Sequence, residues 1–161
     1  RASLPNEHSS LMLIQPVLPE DAAILTDIAF AAKRHWGYPK TWIQAWADEL
    51  TISNENPQNP DRFKAIVDGK IVGHYALDTK DEEAELSALW ILPEFMGRGI
   101  GRALFEHAET NARFRGVSRL TLLSDPHAEG FYCRMGATVY GQHPATMETT
   151  QRFLPMMEKR L

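Results

Sequence analysis

The residues most suited to chemistry form a glycine-rich turn, Gly97-Arg98-Gly99-Ile100-Gly101-Arg102, between a predicted strand and a predicted helix. Glycines let the backbone approach a ligand closely, and the unpaired N–H groups at the start of a helix attract an anion. Arg98 and Arg102 add positive charge beside those amides. The pattern predicts a site for a phosphate-bearing ligand, with a purely structural turn as the alternative.

Two common phosphate-binding motifs do not fit this turn. A dinucleotide-binding fingerprint needs glycine at the position of Arg102, or glycine or alanine at the position of Leu104. A P-loop needs a Gly-Lys-Ser/Thr sequence, which does not follow the turn. Neither motif therefore explains the glycines.

Two segments in the second half of the chain resemble the GNAT superfamily of N-acetyltransferases. The stretch from Leu89 to Gly101, LWILPEFMGRGIG, is similar to the coenzyme A signature of that family, Q/R-x-x-G-x-G/A after a strand and a proline. The stretch from Phe131 to Ala137, FYCRMGA, is similar to the family's F-Y-x-x-x-G-F segment. The resemblance extends over residues 11 to 160 or so and implies acetyl transfer from acetyl-CoA to an amine.

The resemblance also implies how acetyl-CoA binds. Its pyrophosphate is expected on the backbone amides of Gly97, Arg98, Gly99, Ile100, Gly101 and Arg102. The pantetheine arm is expected to pair, like an extra strand, with the backbone of Leu89, Trp90 and Ile91. His127 is a further candidate contact for the coenzyme, and no metal is expected.

Three residues depart from the family pattern. Met96 stands where the family usually has Gln or Arg, so the contribution of that side chain must be absent or replaced. Ala137 takes an aromatic position, and Asp125 stands where many members carry Asn. Because Asp125 precedes Pro126, we interpret it as the N-cap of a helix.

Acetyl transfer to an amine needs a base and an acid. A lysine-type amine has a pKa of about 10.4, so only ~10⁻³ of it is neutral at pH 7. The resemblance places Tyr132 as the acid that protonates the departing thiolate. Glu85 is the predicted base, because a carboxylate between apolar strand residues is expected to be partly desolvated, which raises its pKa. Glu83 and His74 are weaker candidates.

Two further features have functional and structural interpretations. Cys133 adjoins Tyr132, but helical geometry turns it away and no His-Asp pair accompanies it, so we assign it no covalent role. Aromatic residues cluster in the region that often walls the acceptor site in the family, and such a wall suits a cationic acceptor through cation–π attraction. The cluster comprises Trp36, Tyr38, Trp42 and Trp46, with Trp36 and Tyr38 in a predicted turn.

Hydrophobic periodicity and turn residues predict the elements that position these groups. Asp68-Gly69 between two apolar runs predicts a type I′ hairpin turn. The element order is β-α-α-β-β-β-α-β-α-β-β, which indicates an α/β (α+β) single-domain GNAT-type fold with a mixed central sheet of six to seven strands flanked by about four helices. The predicted strands are 11–17, 62–67, 70–77, 84–91, 119–123, 138–140 and 152–157, the predicted helices are 19–34, 40–50, 100–115 and 125–136, and 54–61 is a predicted loop.

Composition limits the class of protein. The 161 residues are 43% apolar, with a formal charge of −4, which fits one globular domain and argues against a general nucleic-acid binder. Cys133 is the single cysteine, so an internal disulfide is impossible and a reducing, cytoplasmic location is predicted. No apolar run approaches the ~20 residues that span a bilayer. Residues 1–10 are predicted to be a flexible tail without the features of a signal peptide, and residues 11–161 the N-acetyltransferase domain.

The function predicted from these observations is direct transfer of an acetyl group from acetyl-CoA to a primary amine of a small molecule. Two alternatives stay open: a non-catalytic module that binds acyl-CoA, and an acetyltransferase of protein N-termini or lysines. The sequence leaves the acceptor unidentified and does not distinguish a monomer from a homodimer.

Overall fold

The computed structural model describes residues 11–53 and 61–161. The predicted tail, residues 1–10, and residues 54–60 of the predicted loop lie outside this part of the chain.

One mixed sheet of seven strands forms the centre of the fold, in the order β1-β2-β3-β4-β5-β7-β6. All neighbouring strands are antiparallel except β4 and β5, which are parallel because helix α4 crosses over between them. The predicted fold class is therefore confirmed. The strands are β1 Met12–Pro16, β2 Asp61–Val67, β3 Lys70–Lys80, β4 Glu83–Ile91, β5 Arg119–Leu123, β6 Thr138–Pro144 and β7 Phe153–Arg160.

Five α-helices of the described residues flank the sheet, where the sequence predicted about four. The predicted helix 40–50 is divided at Trp46, whose backbone leaves the helical region (φ −90°, ψ 3°). At this break the Trp46 ring packs against Tyr38, 5.1 Å between centroids. The helices are α1 Ala22–Arg34, α2 Lys40–Ala45, α3 Ala47–Leu50, α4 Ile100–Phe114 and α5 Glu129–Arg134, and none of those described is long and apolar enough to cross a membrane.

Two predicted helices begin with a 3₁₀ turn, Pro19–Asp21 before α1 and Pro126–Ala128 before α5. Asp21, in the first of these turns, is buried. Its carboxylate accepts a hydrogen bond from the Leu18 N–H (2.8 Å) and pairs with Lys64 on β2 (2.5 Å). The buried lysine thus supplies the counter-charge that allows the carboxylate to leave water.

The Asp68-Gly69 turn between β2 and β3 has positive φ at both residues, 49° and 81°, as the hairpin prediction requires. The last two strands are longer than predicted. They form a hairpin whose ladder continues to the pair Pro144↔Phe153, so β6 runs to Pro144 and β7 to Arg160.

Helix α4 packs on the sheet through its predicted apolar face, Ile100, Leu104, Ala108 and Ala112, all buried. Glu109 of the same helix is also buried. Its carboxylate meets Lys159 of β7 at 2.7 Å and Arg113 at 3.4 Å, and these cations compensate its loss of solvent. The helix approaches β3 so closely that a Cβ on Gly73 would lie 3.2 Å from the Leu104 side chain.

Candidate active site

A gap opens between the two parallel strands at the centre of the sheet. β4 and β5 pair only where Glu83–Glu85 meets Arg119–Thr121. β4 continues to Ile91 with its other edge still paired to β3. From Leu86 onward, one edge of β4 therefore has no strand partner among residues 11–53 and 61–161. Leu89, Trp90 and Ile91 lie half-buried along this edge, where the backbone groups that do not point toward β3 suit an extended ligand.

The glycine turn lies just beyond the end of β4. Gly97 and Gly99 have φ of +76° and +81°, a conformation that L side chains rarely adopt, and no atom lies within 4 Å of the place a Cβ would occupy. Gly99 is the N-cap of α4, and no side chain caps the helix. Arg98 and Arg102 are exposed beside it. Uncapped amides, open space and two cations fit a phosphate group.

The other two members of the turn also pack the fold. A Cβ on Gly101 would lie 3.2 Å from the Phe131 ring, so this glycine allows α4 to contact α5. Ile100 places its side chain in the core, where it is 4% exposed. Only the backbone amides of these two residues are therefore available to a ligand.

Tyr132, the predicted acid, lies on α5 and is only 9% exposed. Its ring packs against Phe131 and Phe105, with centroids 5.1 and 6.1 Å away. Burial, reinforced by the negative charge of Asp125, raises the pKa of the Tyr132 phenol above its usual value. The phenol therefore keeps its proton throughout the working pH range, as a proton donor must.

Asp125 confirms its predicted role as an N-cap, since its Oδ1 accepts a hydrogen bond from the His127 N–H at 2.9 Å. The same carboxylate also pairs with Lys33 Nζ (2.8 Å) and accepts a hydrogen bond from the Tyr38 hydroxyl (2.9 Å). Burial on its own would raise the pKa of Asp125, but Lys33 and His127 together lower it to about 2. Asp125 is thus a permanent anion that joins α1, the turn after it and α5.

His127 lies on the same side of the fold as the aromatic cluster. Its imidazole stacks on Trp36 (centroids 4.8 Å apart, 4° between planes), and Nδ1 lies 2.8 Å from Asp125 Oδ1. An ionised carboxylate only accepts, so in the neutral imidazole this contact places the proton on Nδ1 and the lone pair on Nε2. The side chain is 42% exposed, so that lone pair is accessible. The predicted contact between His127 and the coenzyme stays a prediction.

The four predicted aromatic residues do come together, but two of the protein's own cations occupy the cluster. Arg152 lies 5.2 to 5.3 Å from the ring centroids of Tyr38, Trp42 and Trp46. Lys33 lies 4.3 Å from the Trp46 centroid. Tyr38, Trp42 and Trp46 therefore already make cation–π contacts with Arg152 and Lys33, whereas we expected such contacts with a cationic acceptor.

Glu85, the predicted base, is exposed, so its predicted partial desolvation is wrong. Its neighbours Ala84 and Leu86 point into the core, which turns Glu85 to the opposite face of β4. There it borders an open groove of about 680 Å³ whose lining also includes Asp78, Asp81 and Thr121.

The weaker candidates for the base are engaged elsewhere. Glu83 pairs with Arg119 at 2.8 Å. His74 is fully buried and donates from Nε2 to the Leu25 carbonyl (3.0 Å). Burial lowers the pKa of His74 to about 3, so it is a packed core histidine. Cys133 is exposed, and no group of three or more potential metal ligands occurs in the part of the chain that the structure describes.

Comparison with known proteins identifies the chain's family. The family model described as "Acetyltransferase (GNAT) family" matches residues 26–137, which is more than half of the chain. The chain belongs to the GNAT family.

Two curated relatives are similar to this GNAT protein. The 5-NmdU N-acetyltransferase of Pseudomonas phage PaMx11 is 24% identical over 135 residues, covering 82% of this chain and 91% of the relative. An uncharacterized N-acetyltransferase of Lactobacillus delbrueckii subsp. lactis is 32% identical over 88 residues, 48% of this chain. That second match spans about half of the relative's length (51%).

Solved structures show the same GNAT fold. A GCN5-related N-acetyltransferase from Rhodopseudomonas palustris superposes with a TM-score of 0.78 at 24% identity, covering 92% of this chain and 95% of its own. The PaiA N-acetyltransferase from Thermoplasma acidophilum, solved in complex with coenzyme A, has a TM-score of 0.75 at 22% identity, covering 94% and 99%.

Sequence reasoning missed two members of the site in this GNAT protein, Lys33 and Arg152. Lys33 ends α1, where a basic residue is ordinary, and Arg152 lies in the segment before β7. Neither residue lies in a recognisable sequence motif. Only the contacts with Asp125 and Tyr38, across 92 and 114 positions of sequence, bring them to the site.

Proposed function

We propose that the chain transfers an acetyl group from acetyl-CoA to the primary amine of a small molecule, directly and in a ternary complex. The observation that supports this proposal most is that two different surfaces adjoin α5, the helix that carries Tyr132. One is suited to acetyl-CoA, and the other is the polar cluster around Asp125. The open edge of β4 and the glycine turn suit acetyl-CoA, and α4 contacts Phe131, the neighbour of Tyr132. Asp125, the centre of the polar cluster, is near enough to Tyr132 for its charge to raise the pKa of the phenol.

Acetyl-CoA would supply the acetyl group, and Tyr132 would protonate the departing thiolate. A buried phenol with a raised pKa holds its proton until a strongly basic atom comes within hydrogen-bond distance. Direct transfer is favoured because Cys133, next to Tyr132, is exposed and, within the part of the chain that the structure describes, makes none of the His or Asp contacts that activate a nucleophile.

The base has two candidates. Glu85 stays a prediction, supported by its accessible carboxylate in the groove on β4. His127 is the candidate that the geometry favours, because Asp125 holds its Nδ1 proton and leaves an accessible lone pair on Nε2. In this arrangement Asp125 is a positioning residue, since it acts through the imidazole.

The segment between β6 and β7, which lies against the aromatic cluster, favours a small acceptor. Between β6 and β7, Glu148 accepts a hydrogen bond from Thr41 of α2 (2.5 Å), and Arg152 donates to the Tyr38 hydroxyl (3.3 Å). These contacts hold the segment against α2 and the aromatic cluster, and a segment in this place favours a small acceptor over a peptide chain. The phage relative's name adds 5-NmdU to the acceptors worth testing.

Thiol release from acetyl-CoA in the presence of a broad amine panel, peptides and 5-NmdU tests this proposal. We expect release with one class of small primary amine and, in parallel, coenzyme A binding by calorimetry. Binding without release for any acceptor would favour the non-catalytic module. Release with peptides alone would favour a protein acetyltransferase. An acetylated enzyme intermediate in mass spectra would contradict direct transfer.

A further inference from the structure

Arg152 is a cation whose environment on the acceptor side is incomplete. Its guanidinium is half-buried among Tyr38, Trp42 and Trp46, at 5.2 to 5.3 Å from their ring centroids. Its hydrogen bond to the Tyr38 hydroxyl, 3.3 Å from Nη2, uses one of five N–H donors. Among the described residues, no carboxylate forms an ion pair with it. A guanidinium in such a place is suited to a planar anion.

Among residues 11–53 and 61–161, the nearby charges leave Arg152 as a cation available to a ligand. Lys33, the other cation in the cluster, is engaged by Asp125 at 2.8 Å. Glu148, the acid nearest in sequence, hydrogen-bonds to Thr41 instead. An anionic ligand at Arg152 would thus meet an unpaired positive charge at the edge of a partly desolvated aromatic surface, where charge-assisted hydrogen bonds are stronger than in water.

Arg152 is connected through the Tyr38 hydroxyl to Asp125 and His127, which lie beside the proposed site of reaction. The Tyr38 hydroxyl that accepts from Arg152 also donates to Asp125 Oδ2 (2.9 Å) and lies 3.2 Å from His127 Nδ1. Two hydrogen bonds therefore separate Arg152 from the carboxylate beside Tyr132. A small molecule that places its amine near His127 is able to place a second group near Arg152.

We propose that Arg152 binds a carboxylate or phosphate group of the acceptor, so that the enzyme selects amines that carry an acidic group. This inference rests on the proposed function and narrows it to a substrate class. Arg152 is the specificity-determining residue: it fixes the acceptor's anionic end, while the amine end lies toward His127 and Tyr132. The alternative role for Arg152, packing of the aromatic cluster alone, predicts no dependence on the acceptor's charge.

The test compares matched amines that differ in the acidic group. Amino acids are compared with their amides, which separates a carboxylate from a neutral group, and phosphoethanolamine with ethanolamine, which does the same for a phosphate. We expect kcat/KM at least tenfold higher for the acidic member of one pair. Arg152→Gln should raise KM for that acidic amine at least tenfold with a much smaller change in kcat, and leave the neutral amine within about twofold.

Three controls keep the result specific. Arg152→Lys keeps the charge without the planar fork and should restore part of the KM loss. Arg160→Gln removes an exposed arginine at the far end of β7, the strand that follows Arg152, and should change nothing. The melting temperature of each variant shows whether the aromatic cluster still folds.

The inference is overturned if the wild type uses neutral and acidic amines equally, or if Arg152→Gln slows both equally. Calorimetric binding of the same amines to the protein saturated with coenzyme A gives a readout that needs no turnover. Tighter binding of the acidic amine to the wild type than to Arg152→Gln, without acetylation, would support the anion site and contradict the proposed reaction. Acetylation of acidic and neutral amines at equal rates would support the proposed reaction and contradict the anion site.

Discussion

Lys33 and Asp125, 92 positions apart in the chain, form an ion pair of 2.8 Å in which each side chain is 13% exposed. The pair ties the end of α1 to the turn that begins α5, and so joins the aromatic cluster to the helix that carries Tyr132. Because Lys33 keeps Asp125 ionised, the carboxylate remains an acceptor for both the Tyr38 hydroxyl and His127. The orientation of His127 therefore depends on a contact between distant elements.

The first prediction concerns the base. If His127 removes the proton from the amine, His127→Gln should lower turnover ~10²–10⁴-fold and abolish the acid limb of the pH–rate profile. An imidazole base gives that limb near neutral pH, whereas a carboxylate base gives it well below. Asp125→Asn should lower turnover as well, because it removes the carboxylate that orients the imidazole while Lys33 remains.

Glu85→Gln is the matched comparison for the base. With His127 as base, this exposed carboxylate should be dispensable and the profile unchanged. The assignment is reversed if Glu85→Gln removes the acid limb and His127→Gln keeps it. Full turnover in both variants would indicate deprotonation by solvent. Initial rates across a broad pH range at saturating acetyl-CoA supply the measurement.

The second prediction concerns the acid. Tyr132→Phe keeps the ring contacts with Phe105 and Phe131 and deletes only the proton, so turnover should fall ~10–10³-fold while coenzyme affinity hardly changes. Cys133→Ala, one residue along and exposed, is the control and should retain activity. An inactive Cys133→Ala together with an active Tyr132→Phe would contradict the proposed mechanism.

The third prediction concerns the glycine turn. Gly99→Val should weaken acetyl-CoA binding at least tenfold, about 1.4 kcal/mol, because a branched side chain would lie against the helix amides and resist positive φ. Gly116→Val is a matched control, since Gly116 has nearly the same φ (+79° against +81°) and equally open space after α4. Both variants should lose similar stability in thermal unfolding. Calorimetry should find weaker binding for Gly99→Val alone, and equal binding in both would remove the phosphate site.

The fourth prediction concerns stability against pH. His74 is fully buried, and its pKa is lowered to about 3 by burial, whereas in the unfolded chain an imidazole has its ordinary pKa of about 6.5. Between these values the unfolded state binds the extra proton, so the free energy of unfolding falls as pH decreases from 6.5 toward 3. His74→Gln should reduce this slope in denaturant titrations, and the exposed His143→Gln should not. An unchanged slope in His74→Gln would show that His74 is not its cause.

Local sequence determined most of the elements, because their signals come from neighbouring residues. The Asp68-Gly69 turn, the apolar face of α4 and the N-cap at Asp125 each depend on backbone conformation or periodicity within a few positions. The helix predicted over residues 40–50 was wrong in one place. Its division at Trp46 accompanies ring contacts with Tyr38 and Lys33, which no local pattern contains.

Long-range contacts decided the acceptor side of the site. The glycine turn and Tyr132 were recognisable because main-chain binding of a phosphate demands particular residue types at particular spacings. No such demand applies to Lys33 or Arg152, since a basic side chain is suited to many surface positions and only its partner gives it a role. Likewise, the burial of Glu109 and the exposure of Glu85 follow from which elements cover them. The sequence alone thus determined where a phosphate-bearing coenzyme is expected, while the tertiary structure decided which charges surround the acceptor, because electrostatic pairs form between elements that are adjacent only after folding.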